Sequence, residues 1–294
     1  MVILGGRKMK SLGLINGNLV DLDENVIPME DRGHQFGDGV YEVTKVYNGR
    51  CFALMPHLER LYRSLRAIRI PATYTFDELV EFHELLIEKS GITEGAIYLQ
   101  ITRGVAPRIH SFPEQVVPCL TMSIRPAGVT NPQFREKGVK ITLIPDERWL
   151  RCDIKSLNLL PNILGKQQAK EVGAYEGVMI RDPYVTEGTS SNFFVVKDEV
   201  VWTYPATALI LKGITRTIVM DQLAKELGIT ILEKAFQVSF IKGASEAFLS
   251  GTSTEIMPVT MIDSTKVGDG EVGPVTRALQ SAYTRLIDEE CKRN

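Results

Sequence analysis

The chain reads as an α+β protein made of two mixed α/β domains, and three observations predict this. Short alternating strands with Asn-Gly turns open the sequence and lead into two adjacent amphipathic helices. The second half mixes strands and helices again. Between the halves, residues 126–138 (PAGVTNPQFREKG) hold two prolines and two glycines, a composition that breaks regular structure. The expected division is a smaller first domain over residues 1–126, a linker over 127–138 and a larger second domain over 139–294.

In the first half, Leu12–Val20 carries Asn16-Gly17 between apolar residues, a hairpin signal. Val40, Glu42, Thr44 and Val46 alternate with Tyr41, Val43, Lys45 and Tyr47; Asn48-Gly49 turns and residues 50–54 return, a second hairpin. Pro56 opens a helix with Leu58, Leu61, Leu65 and Ile68 at helical spacing. Thr75, with Glu78 three residues on, reads as the capping box of the next helix. Residues 96–103 and 118–124 read as strands.

Past the break, 139–144 is a strand and 162–174 a helix ending near Gly173. Strands follow at 177–180, 192–196, 200–203, 229–232 and 247–250. Thr215–Leu227 is an amphipathic helix with Ile218, Val219, Leu223 and Leu227 inward, stopped by Gly228. A last helix spans about 273–288. These strands suit a barrel or a sandwich-like sheet, and periodicity does not choose between them.

Composition narrows the function classes. Hydrophobic content of 44% and charged content of 24% are globular values, and 294 residues accommodate one large or two medium domains. A net charge of -2 leaves no basic footprint for nucleic acid or an anionic membrane, so small molecules or other chains are the expected partners. Cys51, Cys119, Cys152 and Cys291 form no C-x-x-C pair, which fits a reducing, cytoplasmic setting. The four histidines are scattered without H-E-x-x-H spacing, so no metal is expected. The opening MVILGGRKMK is too short for a signal peptide or a span, and Met9 offers an alternative start.

Several residues are candidates for chemistry. Lys155 lies in a mostly neutral run, WLRCDIKSLNLLPNILG. It either snorkels to water or sits in a dry pocket as a usable amine. Glu187 stands between a strand and a hydroxyl run; the ordinary reading is a solvated acid. Gly213 before the Thr215 helix, and Ser250-Gly-Thr-Ser-Thr after a strand, are either anion cradles or plain caps and turns. Arg60 lies opposite the leucine stripe, where a solvated face with Arg63 is the ordinary reading. Arg108 and His110 share a loop able to clamp a carboxylate, or form an exposed basic loop.

Six stretches in order carry a resemblance. They are EDRGHQFGDGVYEV (30–43), HLERLYRS (57–64), TRGVAPRIHSFP (102–113), RWLRCDIKSLNLL (148–160), VTEGTSSNFF (185–194) and LKGITR (211–216). Together they resemble the fold-type IV pyridoxal-phosphate enzymes, most nearly the bacterial D-amino-acid aminotransferases, over about residues 14–285.

The resemblance implies that architecture, with pyridoxal 5'-phosphate between the domains. It makes Lys155 the Schiff-base lysine and the base at the substrate Cα, and Glu187 the acid facing the pyridine nitrogen. Arg60, Ile214, Thr215 and Thr252 become the phosphate set, Leu211 the residue against the ring, and Ser190 a neighbour of the cofactor. Tyr41, Arg108 and His110 become the trap for the substrate carboxylate, with Arg108 and His110 supplied by the neighbouring subunit of a homodimer. One departure is Gly251, where close relatives carry a hydroxyl residue, beside a one-residue insertion between Gly228 and Phe248.

The implied activity is ping-pong transamination between a D-amino acid such as D-alanine and a 2-oxo acid such as 2-oxoglutarate, giving pyruvate and D-glutamate. The rivals are a branched-chain L-aminotransferase, an (R)-amine transaminase or an aminodeoxychorismate lyase on the same scaffold. From another class, the rival is a non-catalytic binding protein that kept the fold.

Overall fold

The computed structural model describes residues 3–4, 7–8, 11–128 and 131–292, so Met9 lies outside the described residues. The chain forms two compact units. One comprises the described residues of Met1–Gly128, Ile154–Asn158 and Ile287–Asn294; the other comprises those of Val129–Asp153 and Leu159–Leu286. The short segment carrying Lys155 therefore clusters with the first unit, although its neighbours on both sides belong to the second.

The first unit begins with a two-residue ladder, β1 (Ile3–Leu4) against β2 (Arg7–Lys8). Its main sheet contains β3 (Leu12–Ile15), β4 (Asn18–Val20), β5 (Gly39–Tyr47), β6 (Arg50–Cys51), β7 (Gly95–Thr102) and β8 (Cys119–Pro126). All neighbours are antiparallel, in the order β4-β3-β8-β7-β5-β6. Both expected hairpins form. Asn16-Gly17 and Asn48-Gly49 take positive φ at both turn residues, the geometry that matches strand twist in a two-residue loop.

Helices α1 (Arg32–Phe36), α2 (Leu54–Ala67) and α3 (Phe76–Ser90) complete the unit, and α3 starts with the expected capping box of Thr75 and Glu78. Leu58, Leu61 and Leu65 of α2 share a core with Leu79 and Leu86 of α3, and with Val40, Ile97, Leu99 and Met122 of the sheet. Ile154 is buried in the same core and anchors the segment on which Lys155 sits.

The second unit is built on one mixed sheet. Its strands are β9 (Val139–Pro145), β10 (Glu176–Arg181), β11 (Tyr184–Gly188), β12 (Asn192–Lys197), β13 (Val200–Thr203), β14 (Ile231–Glu233), β15 (Glu246–Gly251), β16 (Glu255–Ile262) and β17 (Thr265–Lys266). Their order is β11-β10-β9-β16-β15-β12-β13-β14, with β17 on β16. β9 runs parallel to both β10 and β16, and β13 parallel to β14; the remaining pairs are antiparallel.

No strand is expected over residues 255–262 from the sequence, yet they form β16. Pro258 sits within this strand, opposite Phe248 of β15 and outside the ladder with β9, which starts at Val259. Helices α4 (Pro132–Lys137), α5 (Leu160–Glu171), α6 (Ile214–Ile218), α7 (Ala224–Leu227), α8 (Val238–Ile241) and α9 (Pro274–Glu290) fill out the chain. α4 forms within the expected linker because Asn131 caps it, Pro132 opens it and Gly138 ends it. α6 and α7 are joined by a π-helical turn, Val219–Leu223. Of the four residues expected inward there, Val219 and Leu223 are buried, and Ile218 and Leu227 half-buried.

Candidate active site

In the first unit, the first residues of β5 pair with β7 on one side and with residues 155–157 on the other. The Tyr41 N–H donates to the Lys155 carbonyl at 3.0 Å, the Leu157 N–H to the Gly39 carbonyl at 3.1 Å, and Val40 bridges Ser156. From α2, the Ser64 hydroxyl accepts the Lys155 N–H at 3.2 Å. The backbone of Lys155 is thus held from two elements. Its side chain is half-buried, with Nζ 4.2 Å from the centroid of the Tyr41 ring. Tyr41 in turn stacks on Tyr98 at 5.6 Å.

Arg60 occupies a different environment from the solvated face that helical counting favours: it is 3% exposed. It does lie opposite the leucine stripe, but His57, Arg60 and Ser64 make a second buried stripe on α2. The reason is Glu42, which β5's alternation places on the buried face of the sheet with Val40, Thr44 and Val46. A carboxylate there must be paired. Arg60 donates Nε to Oε1 at 2.7 Å and Nη2 to Oε2 at 2.8 Å, and His57 Nδ1 lies 2.8 Å from Oε2. Burial pushes Glu42 upward, but the charge and hydrogen bonds of Arg60, helped by His57, outweigh it and hold the carboxyl at about 2. Burial lowers His57.

Both shifts act in one direction. Glu42's ordinary value is 4.5, so its contribution is fully present above that pH and disappears as the pH falls toward about 2. The loss is on the order of 3 kcal/mol. Denaturant melts between pH 7 and pH 2.5 should show this acid limb in the wild type. Glu42→Gln should be less stable at pH 7 and flatter in acid; an equally steep acid limb in the variant would refute the role given to Glu42.

Arg108 and His110 are exposed on the loop between β7 and β8. They share one aromatic neighbour on α1: Phe36 lies 4.9 Å from the Arg108 guanidinium and 5.6 Å from the His110 ring.

In the second unit, Glu187 is the opposite of a solvated acid, at 4% exposure. It accepts from Arg148 Nη1 at 2.5 Å, from Asn192 Nδ2 at 2.9 Å and from the Leu211 N–H at 3.0 and 3.1 Å. Burial raises its pKa to about 6 against the pull of Arg148 and the Leu211 N–H. Arg148 is balanced twice, since it also grips Asp146 through Nε and Nη2, both at 2.9 Å. Asn192 Nδ2 also donates to the Leu211 carbonyl at 2.9 Å, so Glu187, Asn192 and Leu211 form one unit.

Gly213 follows closely. A Cβ there would lie 2.2 Å from Asn192 Oδ1, so only glycine lets the start of α6 approach. Gly213 caps α6 without a side-chain hydrogen bond, Thr215 is buried, and its hydroxyl lies 3.4 Å from Tyr283 Oη. Thr252 is half-buried in the turn between β15 and β16. Ser190 is exposed; its hydroxyl, with those of Thr189 and Ser191, donates to the buried Glu176 instead of forming an open cradle.

This donor set fits a phosphorylated pyridine cofactor. A carboxylate has about four lone-pair sites, and the three donors on Glu187 leave room for a ring N–H. The uncapped start of α6 offers backbone N–H groups to an anion. Ser250, the cross-strand partner of Asn192, has a buried hydroxyl without a hydrogen-bond partner among the described residues, an orphan that a polar ligand satisfies. Among the described residues no group of three or more His, Cys, Asp or Glu could hold a metal ion, and no helix is long and apolar enough to cross a membrane.

The sequence reading did not single out Glu42, His57, Arg148 or Asn192 as site residues. The i, i+3 spacing of His57 and Arg60 was the available signal for a second buried stripe. Nothing in the local pattern names Glu42 or Glu187 as the partners.

Comparison with known proteins gives the chain a family. The model of the family described as amino-transferase class IV matches residues 39–262. A D-alanine aminotransferase of Bacillus licheniformis is 44% identical over 278 residues, covering 94% of this chain and 97% of the relative. One from Staphylococcus haemolyticus is 42% identical over 274 residues, with 93% and 97% covered. Among solved structures, the branched-chain amino acid aminotransferase of Escherichia coli superposes with a TM-score of 0.88 at 28% identity, over 96% of each chain. With the family model and relatives of this identity spanning nearly its whole length, this chain belongs to the class IV amino-transferases.

Proposed function

We propose that this chain is a D-amino-acid aminotransferase that uses pyridoxal 5'-phosphate to move an amino group between D-alanine and a 2-oxo acid such as 2-oxoglutarate, leaving pyruvate and D-glutamate. The observation that carries the reading is the pair Arg108 and His110, exposed yet gathered on one aromatic ring. The name D-alanine aminotransferase on relatives 42–44% identical supports it further. The likeness to the branched-chain enzyme is lower in sequence, at 28%.

The cofactor, when bound, supplies an aldehyde that takes the substrate amine and a protonated ring that accepts the electron pair left at Cα. Lys155 would hold it covalently until the substrate amine takes its place; the freed amine would then take the proton from the substrate Cα and deliver it to the cofactor carbon that had carried the lysine. Glu187 keeps the ring nitrogen protonated: its carboxylate is already oriented by Arg148, Asn192 and the Leu211 N–H, so little reorganisation accompanies the charge change. Leu211 would pack against the ring; Arg60, Ile214, Thr215 and Thr252 would hold the phosphate, with Ser190 nearby. Tyr41 together with Arg108 and His110 binds the substrate carboxylate.

The active form is a cytoplasmic homodimer in which Arg108 and His110 serve the neighbouring subunit. Exposed apolar side chains such as Met29, Phe112 and Val117 in the first unit, and Leu160, Ile163 and Leu164 in the second, support a covered surface in solution. Four free cysteines are consistent with a reducing compartment.

Parallel assays with D- and L-alanine and 2-oxoglutarate test the reading. D-alanine turnover should exceed that of L-alanine by at least about a hundredfold, a difference of about 3 kcal/mol. Turnover of the L-isomer alone would sink it.

A further inference from the structure

Arg108 and His110 are exposed, and an exposed arginine ordinarily samples many rotamers. Freezing it on binding weakens affinity, and a loop already held in its bound shape avoids that loss. Helix α1 supplies such a hold. Arg32, its first residue, is 3% exposed. Its Nε donates to Asp38 at 2.8 Å, and its Nη1 donates to the carbonyl of Ile109, the residue between Arg108 and His110, at 2.6 Å.

Phe36, the last residue of α1, collects the side chains. The guanidinium of Arg32 lies 4.8 Å from its ring centroid, that of Arg108 4.9 Å, and the His110 ring 5.6 Å at a tilt of 48°. The loop backbone is tied to the same region: the Arg32 N–H donates to the Gly104 carbonyl at 2.9 Å, the Ala106 N–H to the Glu30 carbonyl at 3.2 Å, and Asp31 bridges Val105. On the far side, Arg103 grips Asp38 at 2.8 and 2.9 Å and lays its guanidinium 3.6 Å from the Phe112 ring.

We propose that Phe36 and Arg32 are positioning residues that set the direction and spacing of Arg108 and His110 and thereby the affinity for the substrate carboxylate. This rests on the carboxylate role given to Arg108 and His110 above. A carboxylate is held well by two donors only when they meet it at a fixed angle. Phe36 presents a flat, negative π-face to Arg108, and Arg32 fixes the peptide between the two side chains. Neither residue touches the reacting atoms in this scheme, so the effect falls on binding and spares proton transfer.

The test is the single-turnover half-reaction of the cofactor-loaded enzyme with D-alanine, followed by the cofactor's absorbance. The D-alanine concentration giving half the limiting rate is compared across wild type, Phe36→Leu, Phe36→Tyr, Arg32→Lys and Arg108→Ala. Phe36→Leu should raise that concentration about tenfold while the limiting rate stays within about threefold. Phe36→Tyr keeps the ring and should recover most of the affinity. Arg32→Lys keeps the charge beside Asp38 but loses the fork that reaches Ile109, and it should weaken half-saturation in the same way; it decides the matter if Phe36→Leu does not fold.

Wild-type half-saturation in Phe36→Leu, equal defects in the Leu and Tyr variants, or a loss confined to the limiting rate would each overturn the proposal. Arg108→Ala separates the two levels. An unchanged half-saturation there removes the carboxylate reading itself. A large increase there with none in the Phe36 and Arg32 variants removes only their positioning role.

Discussion

Lys155→Ala should lose at least about four orders of magnitude in turnover, because one side chain serves as both the covalent anchor and the carrier of the Cα proton. The fold should survive. The two backbone hydrogen bonds of residue 155, its N–H to Ser64 and its carbonyl from Tyr41, do not involve the side chain. Neighbouring Ile154 stays in the core. The contact of Nζ with the Tyr41 ring is lost, worth about 0.5–1 kcal/mol at a partly exposed site. The variant should therefore melt near the wild type, lack the visible band of a lysine-bound cofactor and show no borohydride-fixed cofactor. Retention of a reducible attachment would assign the anchor to another lysine.

Glu187→Gln should lower the limiting rate by about a hundred- to a thousandfold, the scale set by removing one preorganised electrostatic partner of a developing charge. Gln is close in shape, so the damage is electrical. Its single carbonyl oxygen cannot accept from Arg148 and Asn192 together, since those donors reach different oxygens of Glu187. Whichever way the amide turns, a donor faces a donor. The ring nitrogen loses its counter-charge as well.

Stability should fall by only about 1–3 kcal/mol, because Arg148 keeps two bonds to Asp146. Rapid-scan spectra of the variant with D-alanine, set beside its melting temperature, separate the two effects. A melting point that collapses along with the rate would mean that Glu187 serves the fold before it serves the chemistry.

Much of the local structure can be read along the chain. The Asn-Gly pairs specify two hairpins because both turn residues need positive φ. Thr75 and Glu78 specify the start of α3, and Leu58, Leu61 and Leu65 specify the inner face of α2. The break at 126–138 shows how such reading falls short: its prolines and glycines do interrupt the strands, yet Asn131 and Pro132 also start a helix there. The run at 255–262 is strand with Pro258 inside it, opposite Phe248 of β15 and outside the ladder with β9.

By itself the sequence determined the two hairpins, the capped start of α3, the leucine face of α2 and the motifs of the family resemblance, because each rests on residues close together in the chain. Tertiary structure alone decided the company kept by charge. Arg60 looks solvated by helical counting and is buried because Glu42, 18 residues earlier, lies on the inner face of β5. Glu187 looks like a surface acid and is enclosed by Arg148, 39 residues before it. Phe36 has no local mark of function until the loop carrying Arg108 and His110 folds onto it. Periodicity reports which side of an element faces inward. It does not report what is met there, and for a buried charge the partner decides whether the group is tolerable, what its pKa is and which way it points.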